Sequence, residues 1–374
     1  MLVANTDWYL YNFRLSLAQF LRQKGWQVVL VSPPGRFVPA IQREGFCWVQ
    51  WGLDRRSMNP LKELIALFQL WLVYRREKPD LVHHLTVKPV LYGSLAAVFA
   101  GVPGIVNAIT GLGYLFLNDD WLTRQVRRLV KGLYRWVLNR PNAVVIFENE
   151  TNRRQFIEEG LVREDQAYLI EGVGVDVERF SPQPEAEGVP VVLFPARLLR
   201  EKGIYTLIEA ARLLKPRCEV RFWLAGDVDE GNPGSVSPAE VSGWAEEGLV
   251  EWLGWQVDMP AVYAQSNLVV LPSWGEGIPT ALLEAGACAR AVVTTDAPGC
   301  RDVIEDGFNG RLVTVEDAQG LAEAINELIH NPAERQRMGE NARRRVVERF
   351  SDDVVNRQTW QVYQQVLDNL RRNR

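Results

Sequence analysis

Four residues in the second half of the chain have the types and spacings to hold an elongated anionic ligand. Arg197 and Lys202 stand five apart, just past the apolar run at 189–195. A guanidinium and an ammonium beside a strand end are fit to neutralise a diphosphate, and so to stabilise charge that builds on a leaving phosphate. Glu276 and Glu284 stand eight apart in Ser273-Trp274-Gly275-Glu276-Gly277-Ile278-Pro279-Thr280-Ala281-Leu282-Leu283-Glu284-Ala285. On a helix that spacing is about 12 Å of axial rise, two turns on roughly the same side. Carboxylates so far apart cannot share a proton, but they can hold two ends of one ligand. A loop and helix whose glutamates are merely solvated fits the same spacing.

The elements around these residues decide between the two readings. Residues 268–271 form an apolar run that reads as a buried parallel strand. The loop after it runs into an Ala/Leu-rich helix expected to start near Gly277 to Pro279, because proline is tolerated in a first turn. The amides of Gly277, Ile278, Pro279's neighbours and Thr280 then face outward at the positive end of a helix, where a diphosphate can sit. Strand and helix patterns alternate along the whole chain, which predicts doubly wound parallel sheets. No Gly-x-Gly-x-x-Gly follows the first strand, so a dinucleotide fingerprint is absent there.

Glu-Gly-x-Pro-x-x-x-x-Glu-Ala resembles the paired-glutamate motif of retaining nucleotide-sugar glycosyltransferases, in the group called glycosyltransferase family four. The resemblance implies an α/β, GT-B architecture: two Rossmann-like doubly wound parallel-sheet domains facing across a cleft. It implies that Glu276 lies against the donor sugar and diphosphate, that Glu284 binds the ribose hydroxyls, and that Arg197 and Lys202 contact the phosphates. Gly254-Trp255 looks like the family's turn near the nucleobase, where backbone amides can read uracil. Gly172 to Pro182 resembles the interdomain hinge. The expected domains are residues 1–172, binding acceptor, and 173–354, binding nucleotide sugar, with a helix at about 355–374 crossing back to the first. The family commonly has Gly where Ala289 stands, which suggests a mild loss of backbone freedom here.

Two further segments, Val82 to Gly93 and Asn107 to Tyr114, look like a narrower bacterial branch that extends lipid-linked oligosaccharides, including transferases adding N-acetylgalactosamine to diacetylbacillosaminyl-diphospho-undecaprenol. Both lie at carboxyl ends of expected strands, where open α/β sheets bind ligands. His84 and Lys88 are candidate acceptor residues on that likeness. Gly111 and Gly113 would let backbone approach the donor closely. Many relatives carry a His after the strand at 105–108, where this chain has Thr110-Gly111. The implied activity is transfer from a UDP-sugar, with no cofactor and no metal. The Asp227-x-Asp229 pair tempts a manganese reading that this architecture does not call for.

Composition bounds the partners. At 374 residues two domains are the natural expectation, and 47% hydrophobic with 24% charged is a soluble globular balance. The net charge of −4 hides an asymmetry: residues 1–172 carry 21 Lys/Arg against 15 Asp/Glu, or +6, and residues 173–374 carry 21 against 31, or −10. The basic half suggests an anionic neighbour such as a membrane surface or a phosphorylated acceptor, and no nucleic acid is expected. Residues 121–140 contain no acid. Their wheel puts Leu122, Val126, Leu129, Leu133 and Trp136/Val137 on one face, with Arg124, Arg127, Arg128, Lys131 and Arg135 on the rest, followed by Arg140. Such a helix can lie in a membrane interface, or pack its apolar face on the sheet.

There is no run of 18 apolar residues, no signal-peptide pattern and no cysteine pairing, which suits a cytoplasmic protein peripheral to the inner face of the plasma membrane. Leu2 to Ala4 reads as a truncated first strand, so a short preceding piece is expected to be missing. The leading expectation is an enzyme that extends an undecaprenyl-diphosphate-linked saccharide. A transferase with a soluble acceptor, and an inactive GT-B partner subunit, are the alternatives.

Overall fold

A computed structural model describes residues 1–110 except Arg56 and Met58, and residues 121–372; of residues 121–124 and 126 it describes the backbone. Gly111 and Gly113 lie outside the described residues, as do the side chains of Leu122, Arg124 and Val126. The chain divides into two compact units, Met1–Val173 with Asp352–Arg374, and Gly174–Ser351.

The first unit carries β1 (Leu2–Val3), β2 (Val29–Ser32), β3 (Cys47–Gln50), β4 (Leu81–Leu85), β5 (Gly104–Ile109), β6 (Ala143–Phe147) and β7 (Ala167–Leu169). All pair in parallel, in the order β3-β2-β1-β4-β5-β6-β7. The second unit carries β8 (Val191–Phe194), β9 (Arg221–Leu224), β10 (Glu251–Trp252), β11 (Leu268–Leu271), β12 (Ala291–Thr295) and β13 (Arg311–Val313), in the order β10-β9-β8-β11-β12-β13. Helices cover both faces of each sheet, so the central strands are apolar throughout: β6 is AVVIF and β11 is LVVL, every residue buried. Each sheet reverses its winding once, between β1 and β4 and between β8 and β11, and the crevice at such a point is where this architecture binds ligands.

The helix Asp352–Arg372 packs in the first unit, not the second. Val355, Val362, Tyr363 and Val366 join the core beneath β4 and β5, and Asn356 donates to Ser16 Oγ at 2.6 Å. Tyr363 stacks on Trp26 and its hydroxyl lies 2.5 Å from His83 Nδ1.

The helix Trp121–Leu138 is where periodicity misplaced the buried face. Among the described side chains of this helix, Val130, Tyr134, Val137 and Leu138 are buried, packed with Val145, Phe147 and Phe156, while Leu129 and Trp136 are exposed. The apolar positions of this helix span more than one stripe, so spacing alone could not choose which stripe meets the sheet. Its basic face is partly neutralised: Lys131 Nζ sits 2.6 Å from Glu159 Oε2. Burial pushes the Glu159 carboxyl up, but the Lys131 and Gln155 hydrogen bonds and the charge of Arg127 hold it below the ordinary carboxylate range.

Candidate functional site

The switch point of the second unit brings Lys202 to Glu276, while Arg197 and Glu284 meet other partners. Leaving β8, the chain runs through Ala196 and Arg197 to a short turn, Arg200–Lys202, and then to the helix Ile204–Leu214. Gly203 opens that helix at φ +78°, and a Cβ there would lie 1.9 Å from the Pro272 carbonyl oxygen. The turn after β8 is thus pressed against the turn after β11. Trp274 N and Ser273 Oγ both donate to the Glu201 carbonyl, at 2.9 and 3.0 Å.

This clamp sets Lys202 against Glu276. Lys202 Nζ lies 2.5 Å from Glu276 Oε1. Ser273 Oγ lies 2.7 Å from the same carboxylate oxygen. Glu276 N donates to the Pro298 carbonyl at 2.9 Å. Gly299 follows with φ +81°, and a Cβ there would stand 2.4 Å from the Gly277 oxygen and 2.7 Å from the Glu276 oxygen. The loop bearing Glu276 is therefore seated on backbone from two segments, the Glu201 turn and Pro298–Gly299.

The helix after the loop is Thr280–Ala287, beginning later than Gly277 because Pro279 occupies the N-cap with extended geometry. Proline has no side-chain acceptor, so no side chain caps the first turn; the Pro279 carbonyl accepts from Leu282 N at 2.9 Å, which leaves the Thr280 and Ala281 amides at the helix's leading end. The positive end of that helix is left for an outside acceptor, as an anion site needs. Glu284 lies one turn further on, half-buried, with Oε2 3.0 Å from the buried Tyr263 hydroxyl. Burial pushes the Glu284 carboxyl up to about 7, against the opposing pull of the Tyr263 hydrogen bond and the Arg179 charge.

The cations are not the bare positive wall that the sequence suggests. Arg197, 54% exposed, pairs with Asp229 at 2.6 Å, and Asp229 is further held by Asn232 at 3.3 Å. Asp227 accepts from Trp255 N at 3.0 Å. The two aspartates after β9 thus serve protein donors, and among the described residues no group of three His, Cys, Asp or Glu is placed to hold a metal. In this structure the Trp255 amide is therefore already taken by Asp227. Gly254, at φ +66°, shapes the turn.

Of the candidate acceptor residues of the first unit, His84 is sealed in the core and Lys88 is half-buried with its ammonium engaged. His84 is fully buried in β4; Nδ1 meets Asn107 Oδ1 at 2.8 Å and Nε2 meets the Tyr74 hydroxyl at 2.9 Å. Burial pushes His84 down to about 4. It is a core histidine tying β4 to β5 and to the helix Pro60–Glu77, not an acceptor contact. Lys88 places its ammonium on the Asp54 and Ser57 carbonyls and on Glu63 Oε1, at 3.0, 2.6 and 2.8 Å, so it pins the segment before that helix to the helix's first turn. Arg128 is exposed, 3.5 Å from Gln125 Oε1, and Arg127 is half-buried near Glu159.

Three positioning residues escaped the sequence reading. Ser273 had a signal, three positions before Glu276 in the same loop. Asp229 had one too, but its acidic neighbour drew attention to a metal. Tyr263 had none, since only folding sets its hydroxyl under Glu284.

Comparison with known proteins identifies both halves of the chain. Residues 1–149 match the family Glycosyl transferase 4-like, and residues 176–345 match Glycosyl transferases group 1. The chain is 26% identical over 96% of its length to the N,N'-diacetylbacillosaminyl-diphospho-undecaprenol alpha-1,3-N-acetylgalactosaminyltransferase of Campylobacter jejuni, covering 97% of that protein. It is 25% identical over 79% of its length, and 78% of the relative, to an Escherichia coli UDP-Gal:alpha-D-GlcNAc-diphosphoundecaprenol alpha-1,3-galactosyltransferase. Among solved structures it superposes on Anabaena Alr3699/HepE in complex with UDP and glucose with a TM-score of 0.79, at 21% identity, covering 97% of this chain and 98% of that one. A sucrose-phosphate synthase from Thermosynechococcus elongatus gives 0.78 at 19% identity, covering 98% of both. With both halves matched in order, the chain belongs to the GT-B glycosyltransferases, a 4-like domain followed by a group 1 domain, and is a glycosyltransferase enzyme.

Proposed function

We propose that the protein transfers a sugar, an N-acetylhexosamine or a hexose, from a UDP-sugar to a polyprenyl-diphosphate-linked saccharide, retaining the anomeric configuration and without a metal. The observation that carries this is the Lys202–Glu276 contact beside an uncapped helix N-terminus at the switch point of the second sheet. The lipid-linked acceptor rests on the names of the Campylobacter and Escherichia coli relatives. UDP rests on the latter's name and on the UDP found with the Anabaena fold neighbour.

On this reading the diphosphate lies across the amides of the Thr280–Ala287 helix and draws the Lys202 ammonium toward its oxygens. Glu276 then turns from Lys202 to the sugar hydroxyls, while Glu284 takes the ribose hydroxyls. The bond from the anomeric carbon to the diphosphate oxygen breaks, and its electron pair leaves with UDP. The acceptor hydroxyl oxygen bonds the same face of the sugar, and its proton passes to the departing phosphate oxygen. Arg197 and Lys202 stabilise the charge that builds on that oxygen. Acceptor binding falls to the first unit. Among the described residues no helix is long and apolar enough to cross a membrane, and such an acceptor would place the enzyme peripherally on the cytoplasmic membrane face.

The test is a panel of UDP-, GDP- and dTDP-sugars with a short-chain prenyl-diphosphate saccharide, the product's anomeric configuration being read by proton NMR. Transfer from a UDP-sugar with an α-linkage is expected. An inverted product, or transfer only from another nucleotide, overturns the reading.

A further inference from the structure

The helix Pro60–Glu77 has two apolar faces, and only one of them is used by the fold. Ala66, Leu70, Val73 and Tyr74 are buried against the sheet. Leu61, Leu64, Ile65, Phe68 and Leu72 are 46–71% exposed. At 3.6 residues per turn these five fall within about 100° of arc, roughly opposite the buried face. They form a ridge about 16 Å long from Leu61 to Leu72. Phe68 stacks on Trp71 with ring centroids 5.4 Å apart, extending the ridge sideways. A surface helix normally presents charge where this one presents leucine, so the ridge calls for an occupant.

Charge identifies it. The acidic groups near the ridge are all engaged: Glu63 turns inward to Lys88 at 2.8 Å, Asp54 meets Lys62 at 3.6 Å, and Glu77 meets Arg76 at 2.7 Å. Arg75 and Arg76 stand at the ridge's far end and Lys62 at its near end, Arg76 and Lys62 being the exposed partners of Glu77 and Asp54. The neighbouring helices of the same unit repeat the pattern. Exposed Phe99 lies 6.4 Å from exposed Trp136, and the Arg140 guanidinium lies 4.0 Å above the Trp136 ring. An apolar ridge with aromatics and with cations at both ends matches an anionic bilayer, whose acyl boundary takes the leucines and whose phosphates take the arginines. A second copy of this chain matches less well, since pairing two ridges in either direction sets cation against cation.

We infer that the Leu61–Leu72 ridge of the Pro60–Glu77 helix is the element that seats this protein on an anionic lipid surface. This deepens the proposed lipid-linked acceptor and rests on it. It assigns docking to this ridge, with the basic face of the Trp121–Leu138 helix in a supporting part.

The experiment is vesicle flotation of the full chain with phosphatidylcholine alone and with phosphatidylcholine containing phosphatidylglycerol. The wild type is expected to float with the anionic vesicles. The double variant Leu64→Glu with Phe68→Glu should lower the partition coefficient about tenfold or more, since burying two such side chains is worth several kcal/mol at full insertion. Both positions are exposed, so its melting temperature and its UDP affinity should match the wild type, which separates docking from folding and from the donor site. A milder pair, Arg75→Gln with Arg76→Gln, should weaken binding to the anionic vesicles alone. Flotation of the glutamate variant at the wild-type level overturns the inference. So does a wild-type dimer that the variant converts to monomer while vesicle binding stays unchanged. Transfer to a water-soluble prenyl-diphosphate acceptor is measured in parallel. Its absence in the wild type would count against the proposed reaction and leave the flotation result standing.

Discussion

Lys202 Nζ and Glu276 Oε1 meet at 2.5 Å across the gap between the turn after β8 and the turn after β11. The two residues lie 74 positions apart in the chain and both are mostly shielded, with side chains 20% and 13% exposed. The ammonium has three donors, so on the proposed reading Lys202 can turn part of its charge to a diphosphate while Glu276 competes for it. On the proposed function the pair is a resting state that the donor diphosphate reorganises.

Lys202→Ala is expected to lower kcat by about 10²-fold or more, the scale of removing one group that stabilises developing charge. Glu276→Gln should behave differently. It removes the competing carboxylate, so UDP should bind as tightly as to the wild type or more so, while sugar transfer falls. Calorimetry with UDP and a transfer assay on the two variants check this. Equal loss of UDP binding in both would contradict the resting-state pair.

Glu284 should make donor binding depend on pH. Its carboxyl is pushed up to about 7 by burial, so below neutrality it carries a proton and offers fewer acceptor sites to ribose hydroxyls. The affinity for a UDP-sugar, whose diphosphate does not titrate in this range, should rise about tenfold from pH 6 to pH 8. Glu284→Gln should be weaker and flat. Stability moves the other way. The folded state holds this proton up to about 7 and the unfolded state releases it near 4.5, so this group costs stability as pH rises through that window. Glu284→Gln should remove that slope in urea titrations.

The buried histidines act in the opposite sense. Burial pushes His84 down to about 4 and His83 well below its ordinary 6.5. Between 6.5 and 4 the unfolded chain takes up protons that the folded chain refuses, so stability falls as pH drops through that range. His84→Gln should make the acid limb of a stability profile shallower. It should also lower stability at pH 7, because Asn107 and Tyr74 lose a well-placed partner.

Ala289 sits at φ +55°, in the left-handed region, directly after the Thr280–Ala287 helix and Cys288. An L-residue pays roughly 1–2 kcal/mol there. Ala289→Gly should therefore raise unfolding free energy, by about 1 kcal/mol once the extra freedom of glycine in the unfolded chain is counted. Urea unfolding measures it, and transfer activity should not change.

The sequence by itself determined the fold class and the order of its parts. Apolar runs alternating with amphipathic segments require doubly wound sheets, because only a parallel sheet covered on both faces buries strands such as LVVL and AVVIF. It also placed Lys202 and Glu276 after the adjacent strands β8 and β11, whose carboxyl ends bring the two side chains into contact. Even the strained site at Ala289 was legible, from the glycine expected in its place. Tertiary structure alone decided what each charge is paired with. Spacing marks Arg197 and Lys202 as cations but is silent on Asp229 and Glu276 as their partners, because ion pairs form across turns tens of residues apart. His84 and Lys88 looked available for an acceptor, yet packing sealed one in the core and set the other on three oxygens. The helices Pro60–Glu77 and Trp121–Leu138 show the same limit. Both are apolar on more than one stripe, and only the sheet beneath them decides which stripe is buried and which is left facing out.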